Sequence, residues 1–270
     1  MDDERKNKLL AQLRAAVEAQ LGERSKEREI AIEKMQALGA RDDDAAIQTL
    51  LSYLTQEDNE LLRPLAASRL GEIGSKIVLD ALIHLLETTN SPQLQLLVVQ
   101  IFAEICDAAA TPILITTLNA DSSSDIRERA ALAIGKSGGT GAFEALMQAL
   151  DTEEDPKLRQ QIVAGLGWLK DARAIPDLVR IMQTDHNKET QTFAAEALGR
   201  IGSQQCYIPL LDTLQNQEFL PIVRYYAAYA LGLLGDVRAI VPLTALVSDE
   251  SDHAWVRQMA HESLEKLQED

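Results

Sequence analysis

The sequence repeats with a period of 32 or 33 residues, and this period limits the fold more than any other feature of the chain. An arginine or glutamine marks each repeat at Arg63, Gln95, Arg127, Arg159, Gln191, Arg224 and Arg257. The same register contains a column of small residues at Gly71, Ala103, Gly135, Gly167, Gly199 and Gly232. Such self-similarity is typical of arrays in which each unit packs mainly against its neighbours. We therefore predict a repeat architecture.

Each unit is predicted to contain two amphipathic helices, A and B, joined by a tight turn. Helix A carries apolar residues at the i, i+3, i+4 and i+7 spacing that places them on one face. A glycine inside a helix costs about 1 kcal/mol relative to alanine, so the glycine column indicates a close approach between helices. Helix A is expected to end in left-handed caps at Gly74, Gly138, Gly202 and Gly235. Helix B is expected to be capped by Ser75, Asp107, Asp171, Ser203 and Asp236.

These patterns predict an all-α fold, a right-handed α-solenoid (superhelix) of about seven and a half helical hairpins. Residues 1–25 carry an apolar stripe and are predicted to form an N-terminal capping helix. Residues 26–268 are predicted to form one elongated repeat domain.

Composition and charge narrow the classes of function. The formal net charge of −16 disfavours nucleic acid, whose phosphates attract clustered lysine and arginine, and it also disfavours an anionic membrane surface. The acidic start, Met1 to Glu4, lacks the features of a secretion signal, and no apolar run approaches the length of a membrane span. We predict a cytoplasmic protein with reduced thiols.

One segment resembles a known family. Val223 to Ile240 reads V-R-x-x-A-A-x-A-L-G-x-L-G-D-x-R-A-I, which is similar to the short HEAT-like repeat of phycobilisome bilin lyases and related cyanobacterial HEAT-repeat adaptors. The resemblance implies an α-solenoid and, for function, a bilin lyase or lyase-like chaperone in phycobiliprotein maturation, with a bilin as ligand. Such repeats also occur in iron–sulfur assembly partners, which implies a cluster shared with a partner protein as a further alternative.

Motifs of catalysis are absent from the sequence, including H-E-x-x-H, Cys-x-x-Cys and G-x-S-x-G. We therefore expect a non-catalytic protein without a metal site of its own. The candidates for an iron–sulfur cluster are Cys106, at a position where other repeats have the helix-ending glycine, and Cys206, in the first turn of a helix B. Because the arginine column recurs with the repeat, we expect it to pair with loop carboxylates or carbonyls of neighbouring units.

One column of helix A, spaced i, i+4 and i+8, is largely polar and is expected to face solvent. Repeats five to seven place there Gln160, Ala164 and Trp168, then Thr192, Glu196 and Arg200, then Tyr225, Tyr229 and Leu233. Exposed aromatic side chains are typical of contact surfaces. We therefore predict a protein-binding surface at Trp168, Arg200, Tyr225, Tyr229 and Leu233; the alternative is that the C-terminal helix or the curl of the superhelix covers these side chains.

A second column, on helix B, predicts a mixed polar surface on the concave side. The possible ligand site there consists of His84, Gln148, Arg180, Tyr207 and Asp212, of which Arg180, Tyr207 and Asp212 are the candidates for a bilin. The leading hypothesis is a non-catalytic adaptor that binds another protein along the solenoid. A phycobilin lyase or lyase-like chaperone and an iron–sulfur assembly partner are the alternatives.

Overall fold

The computed structural model describes residues 44–55, 62–120 and 123–269, and within these ranges the regular structure is helical. Its α-helices are α1 (Asp44–Thr55), α2 (Arg63–Ile73), α3 (Lys76–Thr88), α4 (Pro92–Ile105), α5 (Thr111–Asn119), α6 (Ser124–Ser137), α7 (Ala142–Thr152), α8 (Pro156–Leu169), α9 (Ile175–Thr184), α10 (Lys188–Ile201), α11 (Tyr207–Gln215), α12 (Pro221–Leu234), α13 (Ile240–Val247) and α14 (Ala254–Glu269). The predicted capping helix at residues 1–25 lies outside the described residues. In the described part of the chain, no helix is both long and apolar enough to cross a membrane.

The chain divides into two compact units, Met1–Leu82 and Ile83–Asp270. In the first unit, α1 packs against α2. In the second unit, the A helices α4, α6, α8, α10, α12 and α14 pack in chain order, and the B helices α5, α7, α9, α11 and α13 each pack against the A helix that follows. Packing between successive helical hairpins is that of an all-α solenoid, as the period of the sequence predicts.

The turn between helix A and helix B follows the predicted pattern except at Gly138 and Ser75. Gly138 ends helix A with φ +67° and ψ −139°, outside the left-handed helical conformation that was predicted for it. Gly74, Gly202 and Gly235 end helix A in the left-handed conformation, and Cys106 and Lys170 adopt the same conformation without being glycine. The carboxylates or hydroxyls of Asp107, Asp171, Ser203 and Asp236 accept a hydrogen bond from the N–H two residues later. These side chains cap a short 3-10 turn that leads into helix B, rather than helix B itself. The prediction is wrong for Ser75, whose buried hydroxyl has no hydrogen-bond partner among the described residues.

The glycine column allows successive A helices to pack backbone against backbone. A Cβ atom on Gly167 would lie 2.7 Å from the Cα atom of Ala197, and one on Gly199 would lie 2.8 Å from that of Ala230. At Gly135 a Cβ atom would meet the backbone of Gly165, a second glycine on the facing helix. Since real Cβ atoms do not approach other atoms this closely, the column is explained by helix packing, as predicted.

The arginines of the marker column join helix A to the end of the preceding helix B and to the loop that follows the repeat. The Nε–H groups of Arg127 and Arg224 donate to the carbonyls of Leu118 and Leu214, at 2.9 and 2.8 Å, respectively. Across the repeat, Arg127, Arg159 and Arg224 form ion pairs with Glu153, Asp185 and Asp252 of the following loop. Where the marker is glutamine, Gln95 and Gln191 donate to the carbonyls of Thr89 and Asp185. The predicted pairing is confirmed at these positions.

Arg257, in the last described repeat, departs from this arrangement. Its buried Nε atom has no hydrogen-bond partner within the residues that the structure describes.

The Arg224–Asp252 pair is the most buried of these ion pairs, with exposed side-chain fractions of 6% and 3%. Both oxygens of the Asp252 carboxylate accept hydrogen bonds from the guanidinium group. These hydrogen bonds hold the pKa of Asp252 below its ordinary value, against the opposing effect of burial. The pair therefore fixes the loop before α14 against α12.

Candidate protein-binding surface

An open pocket lies on the surface of three successive A helices, α6, α8 and α10. It has a volume of about 190 Å³, and its lining includes Leu132, Ala164, Trp168, Phe193, Glu196 and Arg200. Ala164 stands where the next two repeats have the larger Glu196 and Tyr229, so the small side chain leaves space between the helices. We call this feature the Trp168 pocket.

Trp168 forms the exposed wall of this pocket, and two cations lie against its indole ring. The side chain is 40% exposed. The guanidinium carbon of Arg200 lies 4.2 Å from the ring centroid, and the Lys136 ammonium lies 5.4 Å from it. Both distances allow a cation–π attraction, which is worth about 0.5–1 kcal/mol at an exposed site.

Glu196 holds Arg200 in place beside the indole. The Nε and Nη2 atoms of Arg200 donate to the same oxygen of Glu196, at 3.1 and 2.6 Å. Glu196 lies one turn earlier on α10, so the pair is an i,i+4 contact within one helix. The structure therefore brings together two of the predicted surface residues, Trp168 and Arg200, in a fixed arrangement.

The predicted tyrosines form a separate cluster on α12. The rings of Tyr225 and Tyr226 meet edge to face with centroids 5.3 Å apart, and those of Tyr226 and Tyr229 with centroids 6.4 Å apart. All three side chains and Leu233 are half-buried. Burial, with the nearby charge of Glu262 on α14, raises the pKa of Tyr225. The proximity of Glu262 agrees with the alternative that the C-terminal helix covers part of this cluster.

The comparisons with known proteins agree with the repeat structure. A family model described as HEAT repeats matches residues 15–95, 79–156 and 143–220, which together make up most of the chain. The chain is a HEAT-repeat protein. A second model, described as the PBS lyase HEAT-like repeat, matches residues 223–249 of this HEAT-repeat protein.

Two curated proteins share a part of this sequence. Over 102 residues the HEAT-repeat protein is 33% identical to the bilin biosynthesis protein PecE of Nostoc sp., and over 98 residues it is 34% identical to human deoxyhypusine hydroxylase. Each match covers 36% of this chain, and it covers 40% of PecE and 31% of the hydroxylase. The chain therefore matches less than half the length of either relative.

Two solved structures have a similar fold. A chain of the complex of CpcE and CpcF of phycocyanin lyase, from Nostoc sp., has a TM-score of 0.53 at 20% identity, covering 82% of this chain and 94% of that chain. The YibA protein of Escherichia coli has a TM-score of 0.50 at 18% identity, covering 88% of this chain and 87% of that chain. At these identities the likeness concerns the fold alone.

The predicted site on the B helices is divided in the structure. His84, Gln148, Arg180 and Asp212 are exposed, each on a different B helix, and within the described residues no hydrogen bond or ion pair joins any two of them. Tyr207 is instead 7% exposed. Its hydroxyl donates to the carbonyl of Arg238 at 3.1 Å, and the Arg238 guanidinium lies 4.3 Å from its ring centroid. The structure thus gives Tyr207 a packing contact and does not group it with the other four.

The two cysteines occupy different environments. Cys106 is exposed at the end of α4, and Cys206 is fully buried where other repeats have the buried alanines Ala110, Ala174 and Ala239. Burial raises the pKa of the Cys206 thiol to about 11. In the described ranges, no three histidine, cysteine, aspartate or glutamate side chains are placed to hold a metal ion.

The sequence pattern missed part of the pocket. Gln160 and Thr192, predicted to face solvent, are only 8% and 7% exposed, and the next residues, Gln161 and Phe193, line the pocket instead. A strict i, i+4, i+8 column advances about 80° beyond two full turns of a helix with 3.6 residues per turn. A column spaced i, i+3, i+7 would therefore have found Phe193.

Proposed function

We propose that this HEAT-repeat protein acts in phycobiliprotein maturation, as a subunit of a bilin lyase or as a lyase-like chaperone, and that it works by binding another protein. The observation that supports a role in phycobiliprotein maturation is the match to PecE, which extends over 102 residues at 33% identity. This observation supports a lyase-related role at least as well as an adaptor without relation to bilins. The match to human deoxyhypusine hydroxylase has a similar identity and length, so the assignment needs a direct test for bilin.

Protein binding is supported by the chemistry of the Trp168 pocket. A few residues dominate the binding energy of most protein interfaces, and tryptophan and arginine are enriched among them. The pocket offers a partly exposed indole with arginine and lysine beside it. The likeness in fold to a chain of a two-protein complex, CpcE with CpcF, is compatible with this mode of action.

The test mixes the purified protein with a free bilin and records the visible absorption spectrum, first without and then with apo-phycocyanin. We expect a saturable shift of the bilin absorption band and a complex with apo-phycocyanin on size-exclusion chromatography. Human deoxyhypusine hydroxylase, which is 34% identical to this chain over 98 residues, is the control for nonspecific adsorption of bilin.

The variants show which face binds the bilin. Arg180→Gln and Asp212→Asn test the B helices, and Trp168→Ala tests the A helices. A complex with apo-phycocyanin without a spectral shift would indicate a chaperone. If neither the shift nor the complex is observed, the proposal is wrong and an adaptor outside bilin metabolism is the better description.

The iron–sulfur partner remains a prediction with weaker support. A thiol with a pKa of about 11, as at Cys206, is protonated near neutral pH, whereas a cluster ligand is a thiolate. Visible colour in the purified protein that a chelator removes would favour this function, with Cys106 as the exposed thiol.

A further inference from the structure

We propose that the Trp168 pocket binds one large apolar side chain of a partner protein, next to a carboxylate of the same partner segment. This inference rests on protein binding as proposed above and specifies the chemistry of the partner. It concerns the A helices and is independent of whether the partner is a phycobiliprotein.

The size of the pocket favours a single side chain. Pockets for drug-sized ligands enclose about 300–1,000 Å³, whereas the Trp168 pocket has about 190 Å³. It accommodates one leucine or phenylalanine side chain, but a whole tetrapyrrole is too large for it.

The lining of the pocket favours an apolar group at its centre. Leu132, Ala164, Phe193 and the indole of Trp168 supply carbon surface on three different helices. Water in such a site makes few hydrogen bonds and is displaced favourably by an apolar side chain.

The cations beside the indole favour a carboxylate at the edge of the pocket. The chain has a net charge of −16, yet Arg200 and Lys136 both lie against Trp168. Among the described residues, the Lys136 ammonium forms no ion pair, and Arg200 uses only Nε and Nη2 in its contact with Glu196. The ammonium and the remaining guanidinium N–H groups can therefore donate to a carboxylate of the partner.

A second contact between an arginine and an aromatic ring differs in how completely the arginine is neutralised. Arg173 lies 4.0 Å from the ring centroid of Phe143, but it forms ion pairs with both Asp171 and Glu144. These two carboxylates raise the pKa of Arg173 and occupy its donors. Arg173 therefore contacts groups of its own chain, whereas the cations at Trp168 are only partly neutralised.

The experiment uses the full chain with Trp255→Phe, which leaves Trp168 as the one indole of the two in the sequence. The probe is the blocked peptide acetyl-Asp-Leu-Leu-Asp-amide, and its binding is followed by tryptophan emission. We expect a saturable change with a dissociation constant in the millimolar range, as befits a single anchor. The peptides acetyl-Lys-Leu-Leu-Lys-amide and acetyl-Asp-Ser-Ser-Asp-amide should bind at least about tenfold more weakly, because each lacks one of the two recognised groups.

Variants of the pocket test the apolar contact and the contact with the carboxylate separately. Ala164→Phe fills the pocket without removing a charge and should abolish the saturable change. Arg200→Gln and Lys136→Gln should each weaken binding about threefold to tenfold and reduce its dependence on salt. Arg173→Gln is the matched control and should leave the affinity unchanged. The melting temperature of each variant shows whether it has folded.

Three results would overturn the inference: equal affinity for the lysine peptide, no saturable change with the acidic leucine peptide, or unchanged affinity in Ala164→Phe. A dimer of the wild-type chain that Ala164→Phe dissociates in sedimentation would assign the pocket to a second copy instead. If apo-phycocyanin binds the wild-type chain and Ala164→Phe equally well, the proposed function stands and the pocket assignment fails. If the peptide binds but neither bilin nor apo-phycocyanin does, the pocket assignment stands and the proposed function fails.

Discussion

Arg224 shows, at the scale of the residue, how an array of small helices is held in register. Its guanidinium group reaches the carbonyl of Leu214 near the end of α11 and both carboxylate oxygens of Asp252 in the following loop. A buried ion pair contributes little beyond its desolvation cost when it is complete, but the loss of one partner leaves a buried charge. The main effect of the pair is therefore to specify the position of the loop.

Asp252→Asn should lower the free energy of unfolding by about 3 kcal/mol at neutral pH, because Arg224 then keeps its charge without a counter-ion in a buried site. Glu153→Gln is the matched control, since its partner Arg127 is 30% exposed, and it should cost about 1 kcal/mol or less. Urea unfolding of the three proteins measures both values. An equal cost for the two variants would contradict the role assigned to burial.

The difference in unfolding free energy between the wild type and Asp252→Asn should depend on pH. The folded pKa of Asp252 lies below its ordinary value of 3.8, so the native state favours the ionised carboxylate. The stability from the pair is fully present above pH 3.8 and is lost as the pH falls through the folded pKa. The gap in unfolding free energy between wild type and Asp252→Asn should therefore be constant from neutral pH to about pH 5 and should shrink only in stronger acid.

The two thiols should react at very different rates. Cys106 is exposed, whereas Cys206 is fully buried with its pKa raised to about 11. With a thiol-specific reagent near pH 8, we expect one fast equivalent from Cys106 and a second only after unfolding. Cys106→Ser should remove the fast phase. Rapid labelling of Cys206 in the native protein would show that the end of the α10–α11 turn opens readily.

At the scale of the element, the close approach of α6 and α8 depends on glycine. Gly135 and Gly165 face each other, and a Cβ atom on Gly135 would overlap the backbone of Gly165. Alanine usually stabilises a helix interior by about 1 kcal/mol over glycine. Here the helices would have to separate, which outweighs that gain.

Gly135→Ala should therefore lower the free energy of unfolding by about 3 kcal/mol, at the upper end for overpacking. Gly235→Ala is the control, because Gly235 has a φ of +69° and a Cβ atom added to it would have no neighbouring atom within 4 Å. It should cost only about 1–2 kcal/mol, through the left-handed backbone alone. Thermal or urea unfolding distinguishes the two. Stabilisation by Gly135→Ala would mean that α6 and α8 can separate freely.

The sequence predicted these elements well because the repeat supplies the same information several times. The helical hairpins, the left-handed caps at Gly74, Gly202 and Gly235, and the arginine contacts follow from columns that recur in register. The environment of individual side chains was harder to predict, because it depends on the rotation of each helix about its own axis by a few tens of degrees. Gln160 and Thr192 are buried where the pattern predicts solvent, and Tyr207 packs under Arg238 rather than joining the site on the B helices. Lys136 lies one period before Trp168 in the same column, and Gly165 lies in a column of small residues with Ala197 and Ala230. The repeat therefore held a signal for both contacts that the prediction did not use.

At the scale of the whole molecule, neighbour-only packing implies that stability is distributed along the second unit. Among the residues that the structure describes, α14 packs against α12 and α13 on one side, whereas α8 lies between α6 and α10. In a quasi-one-dimensional array, an element with neighbours on one side opens at lower free energy than one with neighbours on both sides.

The two tryptophans, Trp168 on α8 and Trp255 on α14, report these two locations. In urea, the emission of Trp255 in a Trp168→Phe variant should change at a lower concentration than that of Trp168 in a Trp255→Phe variant. Circular dichroism of both variants at the same concentrations corrects for any change in overall stability. Coincident midpoints would show instead that the array unfolds as one cooperative unit.

The contacts of the arginine column also affect how a repeat protein can gain repeats during evolution. Arg127, Arg159 and Arg224 each donate to a carbonyl near the end of the preceding helix B and to a carboxylate in the following loop. A duplicated repeat therefore brings compatible junctions at both ends with it. Gene duplication of one period can insert a unit without the need for new complementary residues, whereas an insertion that is not a whole number of periods separates the arginine from its carboxylate.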